Sequence, residues 1–132
     1  MSKSYGNTID LFLEEKQLRK QVMRIVTDPT PVEDPKDPDT CNVFQIYSLF
    51  LNKEEQAALR KRYEAGGLGY GEVKQELFET IRDTFEPYRQ RRMELLADLS
   101  ALRETMARGA EKARYAAMKT LRKVRKKVGV DY

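Results

Sequence analysis

Gly71-Glu-Val-Lys-Gln-Glu-Leu77-Phe-Glu-Thr-Ile81-Arg-Asp-Thr-Phe85-Glu-Pro87 is the stretch that decides the fold. Within it Val73, Leu77, Ile81 and Phe85 recur every four residues, with Phe78 beside them. That period lines one side of an α-helix and does not fit the alternation of a half-buried strand. Apolar residues continue past the proline at Tyr88, Met93, Leu95 and Leu96, so one long helix from about Gly71 to Ala97 is predicted. Proline removes a backbone donor and crowds the carbonyl one turn back, which predicts a kink near Thr84. The apolar residues beyond the kink are expected to continue the burial.

Working outward, Asn52 with Glu55 has the spacing of a capping box and starts a helix that runs to about Ala65. Gly66 and Gly67 end it by allowing a left-handed cap. Asn42 to Leu51 carries Phe44, Tyr47, Leu49, Phe50 and Leu51, and reads as a short helix at the centre of a bundle. Residues 28–41 hold Pro29, Pro31, Pro35 and Pro38 among acidic residues, the composition of an acidic loop with polyproline character. Before it, Leu18, Val22 and Ile25 mark a first helix at about Glu14 to Val26, and the alternation of Ile9, Leu11 and Leu13 suggests an extended lead-in. On the other side of the long helix, a short helix is expected at Ser100 to Arg108, then a bend at Gly109. An amphipathic helix with Ala113, Ala117, Leu121, Val124 and Val128 follows, stopped by Gly129. No repeat and no strand pair is visible. The fold class is all-α, a small helical bundle of about five helices, one of them long and Pro-kinked.

The chain has 132 residues, 40% apolar and 35% charged, enough for one domain with a modest core. No apolar run approaches the roughly 20 residues of a membrane span, and none near the N-terminus reads as a signal peptide. Cys41 is the single cysteine and there is no histidine. A Cys/His zinc site and a His-activated nucleophile are therefore excluded, and a reducing, cytoplasmic setting is expected. Glu33, Asp34, Asp37 and Asp39 match no EF-hand spacing and lack its glycine, so a solvated loop is favoured over calcium, and no metal or cofactor is expected. Charge divides unevenly: residues 1–98 carry net −3 and residues 99–132 net +7. A basic final third suits a polyanion such as RNA, and equally a solvated lysine-rich face.

Arg60, Lys61, Arg62 and Tyr63 form a basic run with an aromatic residue, and Tyr70 and Lys74 follow across the glycine turn. Unpaired RNA bases are recognised by stacking on aromatic rings and by hydrogen bonds to their edges, and this set has that chemistry. The plainer reading is a solvated helix end with Tyr63 turned inward. Arg89, Arg91 and Arg92 have phosphate-contact chemistry and can also pair with Glu86 or Glu94 at helical spacing. Lys123 is a candidate phosphate contact on the last helix.

Met1-Ser-Lys-Ser-Tyr5 resembles the tail of the Lys-Met-Ser-Lys-Ser signature of class I aminoacyl-tRNA synthetases. Asp37-Pro-Asp-Thr-Cys-Asn-Val-Phe44 with Tyr47-Ser-Leu-Phe50, Gly69-Tyr-Gly-Glu-Val-Lys74, Gly109-Ala-Glu-Lys-Ala-Arg114 and Val128-Gly129 are similar to the helical C-terminal domain of bacterial tryptophanyl-tRNA synthetases. The resemblance implies a lead-in at 1–13 left from the signature loop and an anticodon-binding-like helical domain at 14–132. It implies Ser2, Lys3 and Ser4 as remnants of an ATP-phosphate site in a family that uses ATP and magnesium, and tRNA as partner. The first signature lysine, the histidine motif and the nucleotide fold are missing, so no catalytic residue is assigned and the chain is expected to be inactive alone. The alternative is an engineered or excised bundle that self-associates as a homo-oligomer through surface a catalytic domain would cover.

Overall fold

The computed structural model describes residues 3–130. A short 3-10 turn over Lys3–Tyr5 leads into five α-helices: α1 (Glu15–Met23), α2 (Asn42–Ser48), α3 (Lys53–Ala65), α4 (Tyr70–Ala97) and α5 (Leu99–Val128). No strand occurs among the described residues. The chain divides at Pro87 into two compact units, Met1–Pro87 and Tyr88–Tyr132. The division falls within α4.

The first unit holds the core. Leu18 and Val22 of α1, Val43 and Phe44 of α2, Leu59 and Tyr63 of α3, and Val73, Leu77, Phe78 and Ile81 of α4 are all buried, with Cys41 and Leu68 between the helices. Each fully buried Val, Leu or Ile contributes about 1.5–3 kcal/mol relative to exposure. The helical period of four in α4 therefore has its expected cause. Ile9, Leu11 and Leu13 of the lead-in pack half-buried against this core. They do so from a folded segment in which Phe12 N–H donates to Asp10 Oδ1 (3.0 Å). The first helix is shorter than expected, ending at Met23 with Arg24 as its cap.

The capping box at α3 forms in both directions. Asn52 Oδ1 accepts from the Glu54 and Glu55 amides (2.9 and 3.0 Å), and the Asn52 amide donates to Glu55 Oε2 (2.8 Å). Gly66 ends α3 with φ +76° and ψ 175°, a positive-φ conformation but not the left-handed helical cap expected. Its absence of side chain has a second cause: a Cβ there would meet the Glu33 carbonyl oxygen at 2.5 Å. In α2, Val43 and Phe44 are buried, but Leu49 just beyond the helix is 80% exposed, so this segment is less central than its composition suggests.

The second unit corrects two expectations. Tyr88, Met93, Leu95 and Leu96 do not continue the burial; all four are exposed, and the apolar cluster on α4 ends with Phe85. No short helix and bend precede α5, which runs unbroken through Gly109. One glycine costs a helix interior only about 1 kcal/mol, and the alanines, leucines and arginines around it outweigh that. The long, proline-containing α4 of 28 residues is thus joined by a second long helix, α5, of 30 residues. Pro87 does lie inside α4, with no loop around it. Asp98 caps α5 by accepting from the Ser100 and Ala101 amides.

Candidate nucleic-acid interface

The residues singled out around the α3–α4 turn come together, but most of them face inward. Tyr63 is completely buried. Its ring meets the edges of Phe44 and Tyr70 with centroids 5.3 and 6.4 Å apart, and its hydroxyl lies 3.7 Å from Cys41 Sγ. Burial pushes its hydroxyl well above the ordinary tyrosine range. A ring in this position presents no face to a base.

Tyr70 opens α4 half-buried, and its hydroxyl donates to Asp28 Oδ2 (2.6 Å). Burial, then that bond, pushes its pKa up. Hydrogen bonds from Thr30 and Tyr70 bring Asp28 down to about 2. Lys74 is 9% exposed, and its ammonium donates to the Met23 carbonyl across 3.4 Å. Burial lowers its pKa. The sequence pairs Tyr63 with a basic run, but the helical phase that makes Leu59 and Tyr63 core neighbours is what places that ring.

The arginines remain at the surface and are engaged. Arg60 donates to both carboxylate oxygens of Asp39 (2.5 and 3.1 Å) and lies over the Phe44 ring at 5.3 Å. The bonds from Arg60 lower the Asp39 carboxyl pKa. Arg62 bridges from α3 to α4, donating to Glu76 Oε1 (2.7 Å) and Oε2 (2.9 Å) and to Glu72 Oε1 (3.3 Å). Its charge is balanced within the unit, so a phosphate must compete with two carboxylates for it. Lys61 is exposed between them.

In the second unit, Lys123 sits on α5, where no residue is buried. By helical position Arg103, Lys112, Arg114 and Lys123 flank the apolar stripe of Leu102, Met106, Ala113, Ala117, Leu121 and Val124. Arg91 pairs with Glu94 (2.8 Å). Ser2 and the side chain of Lys3 lie outside the described residues, and Ser4 is exposed in the 3-10 turn. Behind that turn is a cavity of about 420 Å³, lined by Tyr5, Asn7, Ile9, Arg24, Ile25 and Ile46 among others. Its walls are tied by Asp10 N–H to Gln21 Oε1 (2.9 Å) and Asn42 Nδ2 to the Val26 carbonyl (3.1 Å). No group of three or more potential ligand residues is arranged to hold a metal ion among the described residues. Asp37 instead accepts from the Asp39 amide and the Thr40 hydroxyl.

A family model described as tRNA synthetases class I (W and Y) matches residues 1–86. The chain belongs to that family. It is 46% identical over 130 residues to a tryptophan–tRNA ligase of Rhodopirellula baltica and 48% identical over 130 residues to one of Campylobacter jejuni. Both alignments cover 98% of this chain and 41% of the relative, so the chain spans about two-fifths of the length of the ligases it matches. The region matched is the C-terminal portion of those ligases. The crystal structure of the Campylobacter jejuni tryptophanyl-tRNA synthetase complexed with ADP and tryptophan superposes with a TM-score of 0.87 at 48% identity, over 98% of this chain and 40% of that one. The described residues thus form a helical region of the synthetase family and contain no mixed α/β sheet. No helix among them is long and apolar enough to cross a membrane.

Proposed function

We propose that this chain is the tRNA-binding helical domain of a tryptophan-specific synthetase, contacting the anticodon region and inactive in amino-acid activation by itself. The observation that carries the reading is α5: ten Lys/Arg against two acidic residues, with none of its residues buried. Such a helix attracts the phosphate backbone and releases counterions on binding. Arg60 and Arg62 of the first unit supply geometry rather than free charge, since each is already paired. Tyr63, Tyr70 and Lys74 support the surface from beneath. Base selection therefore falls to the exposed rim, Lys61 foremost, and to Arg62 where a base edge takes the place of Glu72.

The test is binding of fluorescent tRNA at several salt concentrations. Cognate tRNA is expected to bind more tightly than an anticodon-swapped tRNA or a random RNA of equal length. Equal affinity for all three would reject anticodon recognition. A second reading, self-association, draws on the apolar stripe of α5. The basic residues on both edges of that stripe oppose it, so it predicts a dimer in sedimentation that forms only as salt rises.

A further inference from the structure

Lys36 is a charged residue with only 3% of its surface exposed, in the middle of the proline-rich loop. Its ammonium donates to the carbonyls of Pro31 (2.7 Å), Asp34 (3.2 Å) and Val32 (3.4 Å). The open side is closed by the Tyr70 ring, 5.3 Å from Nζ to centroid. Among the described residues no carboxylate pairs with it, although the loop carries five acidic residues. Three carbonyl oxygens and a π face form the environment of a bound cation, and here the cation is on a tether.

The backbone around this centre is fixed to the helices. The Lys36 amide donates to the Tyr63 carbonyl (2.8 Å), and the Gly67 amide donates to the Val32 carbonyl (2.8 Å). From Lys36 the chain turns through Asp37, whose carboxylate accepts from the Asp39 amide (2.9 Å) and the Thr40 hydroxyl (3.0 Å). That turn delivers Asp39 to Arg60. Without a cation at the centre, three carbonyls would point at one another in a site with little water.

We infer that Lys36 is a positioning residue, an internal cation that organises the loop of residues 28–39 and so sets the placement of Asp39 against Arg60 and of Tyr70 against Asp28. The inference concerns the loop alone, and its test uses no RNA, so its failure and that of the RNA reading are distinguishable.

Lys36→Met keeps the apolar bulk and all but the terminal atom of the side chain, and removes the charge. It is expected to lower Tm by about 10 °C, in the range a loss of buried hydrogen bonds gives a domain of this size. It should also speed exchange of the Lys36 and Gly67 amides by roughly 100-fold, an opening of the loop. Wild-type protection of those two amides in this variant would overturn the inference. Lys36→Ala leaves room for a small cation and is tested with ethylammonium chloride against tetramethylammonium chloride at equal concentration. Ethylammonium carries three donors and should restore Tm and amide protection; tetramethylammonium carries none and should not. Equal response to the two salts would overturn the inference, whether the variant starts folded or is refolded in their presence.

Discussion

The two units of this chain have similar apolar patterns and opposite fates. In Met1–Pro87 the stripe on α4 is buried by α1, α2 and α3. In Tyr88–Tyr132 the stripe on α5 is equally regular, yet Leu99, Met106, Leu121, Val124 and Val128 are exposed. Periodicity therefore specifies which face of a helix is able to be buried, and a neighbour decides whether it is. The charge follows the same division. In the first unit arginines pair with carboxylates of other elements, as Arg62 does with Glu72 and Glu76. The cations of α5 greatly outnumber its carboxylates, leaving it an excess of positive charge.

The sharpest way to break this contrast is to truncate one residue in each stripe. Leu77→Ala in the first unit should cost about 2–5 kcal/mol, the range for opening a cavity in a packed core. Leu121→Ala on α5 should stay within roughly 0.5 kcal/mol, as for a surface position. Urea denaturation measures both. A comparable loss at Leu121 would mean that the α5 face is covered in solution.

Glycines offer a second comparison with opposite signs. Gly66→Ala should destabilise by about 1–3 kcal/mol, because the backbone there is left in a region L-residues avoid and the new Cβ strikes the Glu33 carbonyl. Gly109→Ala, with nothing within 4 Å of the added atom, should stabilise by up to about 1 kcal/mol. Thermal melts that show the same sign for both would contradict the continuous α5 or the tight α3 ending.

For RNA, Lys123→Ala should weaken every RNA alike and reduce the salt slope by roughly one unit. Arg62→Ala should leave the slope nearly unchanged, since the arginine is balanced by carboxylates, while altering any preference among anticodons. Reversed results would move the interface to the first unit.

The smallest expected effect is a pH dependence. The Asp28 carboxyl titrates at about 2 in the fold, below its ordinary value of 3.8. A lowered folded pKa contributes stability that is present above the unfolded value and lost as pH falls through the folded one. The wild-type protein should therefore lose stability relative to Asp28→Asn between about pH 4 and pH 2. Parallel stability curves over that window would show that the hydrogen bonds from Thr30 and Tyr70 do not hold the carboxylate.

Much of this was legible in the residues. The α4 stripe, the Asn52–Glu55 box and the proline-rich loop follow from local rules: side-chain period, reciprocal capping and fixed φ at proline. Family membership was legible because its motifs are contiguous stretches. The roles of Tyr63, Lys74 and Lys36 were not, because a tyrosine beside arginines reads the same whether its ring points out or in. Only the packing of α2, α3 and α4 turned Tyr63 into core. Only the folded loop gathered the carbonyls of Pro31, Val32 and Asp34 around the Lys36 ammonium. Sequence sets what each segment can do along its own length, because helix period and capping are local. Burial and the partners of each charge are set by residues distant in the chain, which meet only in the folded protein.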